Sequence, residues 1–276
     1  MNAAPLHLHV ESTGAGPPLV LVHGFAMHGG LFAPIVPALG EHHRVHVIDL
    51  PGHGRSPPML PFTLPAVAEA IDHATAGIDE PLTVLGWSLG GQVALQWASA
   101  RRDRIARLIL VSTTPSFVTR GGWPDAMSPG ALGRFGDELR VALGLTLQRF
   151  LALQVHGSDE GRRLLAQLRV RLTERGLPSQ ATLADAIALL MHADLRPALP
   201  RIGAAALVIG GDRDALVPLA ATRALADALP SATHVAIAGA AHAPFLSHRS
   251  AFLAALAPFL SRGTAAAGRR VPVSHG

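Results

Sequence analysis

A chain of 276 residues can hold one large core with a modest insertion. Hydrophobic residues make up 49% and charged residues 15%, which excludes a disordered, tail-like polymer, and the absence of Cys excludes a disulfide framework, a thiolate-held zinc and a thiol nucleophile. The net charge is +4 and all 23 basic residues are Arg; with Lys, Tyr and Cys missing, the isoelectric point near 11.2 reflects absent residue types rather than a strongly basic surface.

Aromatics are only 4%, so the basic cluster with interleaved rings that a nucleic-acid interface needs is not expected. Residues 1–10 lack a basic stretch followed by an apolar one, and no apolar run reaches about 18 residues. No signal peptide or membrane span is expected, and the expected location is cytoplasmic.

Along the chain, β-prone apolar runs recur at residues 19–22 (LVLV), 45–48 (VHVI), 82–85 (LTVL), 107–111 (RLILV), 205–209 (AALVI) and 233–237 (THVAI). Their hydrophobicity is continuous rather than alternating, which predicts strands covered on both faces, as in a parallel sheet. Helical patterns at 65–76, 89–100, 219–229 and 250–260 lie between and after them. The alternation predicts right-handed βαβ units and an α/β fold, with chemistry at the carboxyl ends of the strands.

From about 116 to 201 the alternation stops. A Gly- and Pro-rich opening (120–133) leads into helical stretches at 134–154, 160–175 and 182–192. This predicts a helical cap or lid over residues 116–201, inserted into a core formed by 1–115 and 202–262. The tail, 263–276, is small, polar and Pro-broken, and reads as disordered.

Gly86-Trp87-Ser88-Leu89-Gly90 follows the LTVL run and opens a helix. This is the strand–turn–helix context of a nucleophile elbow, with Ser88 presented above a helix N-terminus whose dipole favours developing negative charge. His23-Gly24-Phe25 follows the LVLV run; Phe25 N–H and Leu89 N–H are the expected oxyanion donors. His23 is an alternative base, but its place at a strand end favours organising that loop. The segment from Asp49 to Ser56 (DLPGHGRS) reads as a tight loop bracing it. After the AALVI run come two acids: Asp214 is assigned because it immediately precedes the loop to Val217-Pro218, and Asp212 is the alternative, with loop capping as its other role. His242 follows the last strand. The order Ser88…Asp214…His242 fits a nucleophile, an orienting acid and a general base. The other His residues, His7/His9 and His42-His43 included, form no convincing metal set, and no metal or cofactor is expected.

Together these five motifs resemble the α/β-hydrolase superfamily over about residues 19–260. A Ser at position 88 argues against the dehalogenase and epoxide-hydrolase branches, which place Asp there. The segments GWSLGG (86–91), STTPSF (112–117) leading to Trp123-Pro124, RFLALQ (149–154) and AAHAPFLSH (240–248) are similar to the pimeloyl-[acyl-carrier protein] methyl ester carboxylesterases of biotin synthesis. That resemblance implies cofactor-free cleavage of a methyl ester at the far end of a pimeloyl chain held on acyl-carrier protein. It also implies a substrate site of Phe25, Trp87, Ser88, Leu89, Phe150 and His242, and carrier docking by Arg149 and Arg162. Residues 134–175 carry eight Arg against five acids, and Arg162 and Arg169, seven apart, share a helix face, so Arg169 joins the docking set. A basic lid would steer an acidic carrier protein. Leu145 and Ala166 depart from the family's basic pattern. The triad alone also fits a short-chain carboxylesterase, a lactone or C–C bond hydrolase, or a cofactor-free perhydrolase. A non-catalytic hydrolase-fold binding protein is the reading of a different class, and a complete Ser–Asp–His set argues against it. The expected enzyme is a monomer without nucleic-acid or membrane partners.

Overall fold

Strands that are apolar along their whole length need cover on both faces, and helices alternating with them supply it. The computed structural model describes residues 6–261, so the expected disorder of 263–276 lies outside the described residues. Among the described residues seven strands form one sheet: β1 (Val10–Thr13), β2 (Pro18–Val22), β3 (Arg44–Ile48), β4 (Leu82–Trp87), β5 (Ile105–Val111), β6 (Ala205–Gly211) and β7 (Ala232–Ile237). Their order is β1-β3-β2-β4-β5-β6-β7. Only β1 is antiparallel, pairing with β3 from Val10 opposite Ile48 to Thr13 opposite Val45. Every residue of β2 and β4 is buried.

The helices are α1 (Val36–Gly40), α2 (Leu64–Ala74), α3 (Leu89–Ala100), α4 (Pro129–Val141), α5 (Leu143–Val155), α6 (Gly161–Glu174), α7 (Gln180–His192), α8 (Leu219–Ala228), α9 (Pro244–Ser247) and α10 (Arg249–Ser261). Side-chain caps mark several starts. Thr63, Ser128 and Ser179 accept from the N–H of Ala66, Ala131 and Thr182, and α2 and α4 carry Pro in their first turn. No described helix is long and apolar enough to cross a membrane.

The chain steps from β2 outward to β3, then returns across β2 to β4 and continues the other way. The order therefore reverses between β2 and β4, and the crevice outside their carboxyl ends is where such sheets bind ligands. Helices α4 to α7 all lie between β5 and β6, which nevertheless pair directly, with Arg107 opposite Ala205 and Val111 opposite Ile209.

Two features differ from the sequence expectation. The short edge strand β1 has a half-exposed, polar pattern and no apolar run to reveal it. The single helix expected at 134–154 is two: α4 begins earlier, at Pro129, and the chain turns at Ala142 (φ −142°, ψ 58°) before α5. The burial explains the turn. Leu132 and Leu139 anchor α4 while Leu147, Leu151 and Val155 anchor α5. One straight helix of that length would run roughly 30 Å and carry half of these past the core.

The largest buried side chains include Phe245, on α9, which is fully buried. Its ring lies 5.2 Å from Phe32, 5.4 Å from Trp87 and 5.9 Å from Phe252. Phe245→Ala is expected to lower unfolding free energy by about 3–5 kcal/mol in denaturant titration, as for other large-to-small core changes.

Candidate active site

Ser88 is the turn between β4 and α3. Its backbone sits at φ 56°, ψ −119°, a conformation that side chains rarely adopt. The surroundings hold it there. Ser88 N–H donates to Val111 O at 2.9 Å, and Thr113 Oγ1 donates to Ser88 O at 2.7 Å. Glycine is required on either side by close approach: a Cβ on Gly86 would strike Gly90 O, and one on Gly90 would strike the carbonyls of Val22 and His23. The helix can then start directly beneath the serine.

The loop after β2 lies against this elbow, with the Gly24 Cβ direction 3.1 Å from Ser88 Cβ. Among the described residues, neither Phe25 N–H nor Leu89 N–H has a hydrogen-bond acceptor. His23 is spent on the loop itself: Leu50 N–H donates to Nε2 at 2.9 Å, so Nδ1–H donates to Gly24 O at 2.8 Å. Both ring nitrogens are therefore occupied by backbone. Asp49 braces the same loop, accepting from Gly29 N–H at 2.6 Å and Arg55 N–H at 2.9 Å. Ala26, next to Phe25, is held at φ 61°.

The structure brings Ser88, His242 and Asp214 together. Ser88 Oγ–H donates to His242 Nε2 at 3.0 Å, and His242 Nδ1–H donates to Asp214 Oδ2 at 2.9 Å, with Oδ1 at 3.1 Å. Asp214 Oδ1 also accepts from the N–H groups of Leu216 and Val217, both at 2.9 Å. Asp212 instead accepts from Gly239 N–H at 2.7 Å and braces the loop before His242. The His242 backbone is fixed from two sides. Its N–H donates to Gln154 O at 3.1 Å, and its carbonyl accepts from Trp87 Nε1–H at 2.7 Å.

A cavity of about 190 Å³ opens onto the pair, and among the described residues its only polar side chains are Ser88 and His242. Phe25, Phe135 and Phe150 form one wall, with ring centroids 5.3 to 5.9 Å apart. Phe117, Leu153, Ile187, Leu190 and Leu216 line the rest, with Met127, Ala131 and Leu132 beside them. Larger depressions of about 410 and 520 Å³ elsewhere include none of the three residues.

The sequence puts Trp87 along the acyl pocket; the structure puts it behind the base. Its ring packs on His242 and Phe245 at 5.5 and 5.4 Å and does not line the cavity. The reason is the elbow, which turns Ser88 out of the sheet and leaves its predecessor buried in strand β4. Phe135, Leu153, Ile187 and Leu190 were not singled out by sequence; Phe135 lies on the helix that the sequence began late. Arg149, Arg162 and Arg169 are exposed. Arg149 Nη1 is 3.6 Å from Glu138 Oε2, while Arg162 and Arg169 share a side of α6 turned away from its buried Leu164 and Leu168. Among the described residues no group of three or more His, Asp or Glu is placed to hold a metal ion.

Fold and site together define an α/β hydrolase. The family model for the alpha/beta hydrolase fold matches residues 17–249. A bromoperoxidase from Bacillus anthracis superposes with a TM-score of 0.86 over 94% of this chain and 97% of that one, at 24% identity. An enol-lactonase from Burkholderia xenovorans LB400 gives 0.82 over 94% and 99%, at 26% identity. In sequence, the pimeloyl-[acyl-carrier protein] methyl ester esterase of Stenotrophomonas maltophilia (strain K279a) is 45% identical over 242 residues, 87% of this chain and 92% of that protein. The chain belongs to the α/β-hydrolase fold family and, within it, to this group of esterases. It is a carboxylic ester hydrolase.

Buried imidazoles around the loop after β2 make stability pH-dependent. Burial, reinforced by His53, pushes His23 down to about 3, and burial pushes His53 down to about 4, against an ordinary 6.5. The unfolded chain takes up these protons near pH 6.5 and the folded chain only near pH 3 to 4. Between those values the unfolded state binds more protons, so stability falls as pH falls, by about 1.4 kcal/mol per pH unit for each group. Denaturant midpoints measured from pH 7 to pH 4.5 should drop steadily. A flat profile would contradict the burial of His23 and His53 as neutral imidazoles.

Proposed function

We propose that the enzyme hydrolyses the methyl ester of a pimeloyl chain carried on acyl-carrier protein, as a step of biotin synthesis. Ser88 is the nucleophile, His242 the general base and acid, and Asp214 the group that orients His242 and stabilises its charged form. Ser88 Oγ attacks the ester carbonyl while its proton passes to His242 Nε2. Phe25 N–H and Leu89 N–H, together with the N-terminal dipole of α3, stabilise the tetrahedral oxyanion. Collapse breaks the bond to the methoxy oxygen, which leaves as methanol with the proton from His242. Water, deprotonated by His242, then attacks the acyl-enzyme, and the second collapse frees the carboxylate and restores Ser88.

The observation that carries this reading is a serine–histidine pair opening onto a cavity with no other polar side chain. An uncharged ester on an alkyl chain can enter it without leaving a polar group unpaired. The name carried by the 45% identical relative supports the pimeloyl carrier substrate. In this reading residues 116–201 form a lid, Phe150 contacts the acyl chain, and Arg149, Arg162 and Arg169 steer the acidic carrier. The enzyme works as a cytoplasmic monomer and uses no cofactor.

Ser88→Ala is expected to lower kcat by about 10⁴-fold or more while leaving the thermal transition unchanged. Retained turnover by the folded variant would remove Ser88 from the reaction. Arg149→Ala combined with Arg162→Ala should lower kcat/KM for the carrier-bound methyl ester about tenfold and leave p-nitrophenyl butyrate unaffected, the gap narrowing at high salt. Equal effects on both substrates would assign these arginines no docking role, and equal wild-type rates on carrier-bound and free methyl esters would make the enzyme a general carboxylesterase.

A further inference from the structure

We propose that Arg175 is a positioning residue for the oxyanion hole, fastening the end of helix α6 to the loop that carries Phe25. This rests on the reading that Phe25 N–H is an oxyanion donor.

Arg175 is the C-terminal cap residue of α6, and its guanidinium divides between two acids of the core. Nη1 reaches Asp49 Oδ2 at 3.2 Å and Nη2 reaches Glu11 Oε2 at 2.8 Å. The Arg175 side chain is 12% exposed and that of Asp49 1%, so this contact is little screened by solvent. The other oxygen of Asp49 accepts from Gly29 N–H. A second tie lies beside it: His28 Nε2–H donates to Arg171 O at 2.6 Å, and His28 Nδ1 accepts from Gly30 N–H at 3.1 Å. Arg171 O belongs to the last turn of α6, whose carbonyls lack partners within the helix.

Both ties end on His28 and Gly29, just downstream of Phe25. Between them stands Ala26 at φ 61°, spanned by a hydrogen bond from Met27 N–H to Gly24 O at 3.3 Å. A non-glycine residue in that conformation persists only where its surroundings over-determine it. Upstream, His23 fixes the loop to Leu50. Downstream, the fixing is shared by Asp49 and the end of α6, and Arg175 is the cation that holds those two together. Burial works to raise the Asp49 carboxyl, but His23, the Arg55 and Gly29 N–H groups and Arg175 outweigh it and hold the carboxyl below its ordinary range. Release of Arg175 would let Ala26 relax and turn the neighbouring Phe25 N–H away from Ser88.

The test compares wild type with Arg175→Gln and Arg175→Lys. Hydrolysis of p-nitrophenyl butyrate is normalised to sites titrated with a fluorophosphonate, and affinity is measured for an alkyl trifluoromethyl ketone, whose adduct with serine carries the oxyanion. The expected result for Arg175→Gln is a kcat about 10- to 100-fold lower per titrated site, KM within about twofold, and ketone affinity weakened by a matching factor. Arg175→Lys keeps the charge but not the two-pronged reach, and should lose about fivefold in kcat. If Arg175→Gln does not fold, the lysine variant decides. An unchanged kcat per titrated site, whatever the melting temperature, overturns the proposal, as does a lowered kcat with unchanged ketone affinity. A wild type that neither reacts with the fluorophosphonate nor binds the ketone would refute the serine-esterase reading itself, a result distinct from either.

Discussion

The backbone at Ser88 is the constraint around which the rest is arranged. A serine at φ 56° between a buried strand and a buried helix is stable only if strand β4, helix α3 and the ends of β2 and β5 leave it no alternative. Each of these supplies part of the confinement: Val111 O accepts the serine N–H, Thr113 grips its carbonyl, and Val22 and His23 leave no space for a side chain at Gly90. The reward is geometric. The hydroxyl stands clear of the sheet, above a helix terminus, at the point where the strand order reverses.

The helices between β5 and β6 act as more than a cover. α5 presents Phe150 and Leu153 to the cavity, and the next residue, Gln154, offers a last-turn carbonyl that the helix itself cannot use. His242 N–H takes it. α6 ends on the loop after β2 in the same manner, directly through the carbonyl of Arg171 and, by way of Asp49, through the side chain of Arg175. Two unsatisfied helix ends are thus closed by residues next to the proposed base and the proposed oxyanion donor.

What could be read from the sequence was whatever is written locally. Continuous apolar runs fixed six of the strands, and glycines two before and two after Ser88 marked the turn. The order of serine, acid and histidine singled out residues that the fold brings within 3.0 Å of each other. The choice between Asp212 and Asp214 was finer, because both acids sit in the same loop and differ only in which way a two-residue step turns the carboxylate. Features that depend on distant packing were not legible. The turn at Ala142 follows from where Leu139 and Leu147 find the core, and the aromatic wall assembles from Phe135 and Phe150 on two successive helices and Phe25, more than a hundred residues earlier. Trp87 was misplaced because its neighbour's identity as the elbow residue says which side faces out only once the strand is seen buried.

The composition of the cavity wall has a further consequence. In the proposed cycle hydrolysis turns a neutral guest into an anion, and among the described residues the cavity is lined by no cationic side chain and by no polar side chain beyond Ser88 and His242. A carboxylate formed there would give up most of its hydration for the few donors beside Ser88 and an otherwise apolar wall. Its escape to water is downhill for the same reason that its uncharged precursor entered, so the wall gives the cycle a direction.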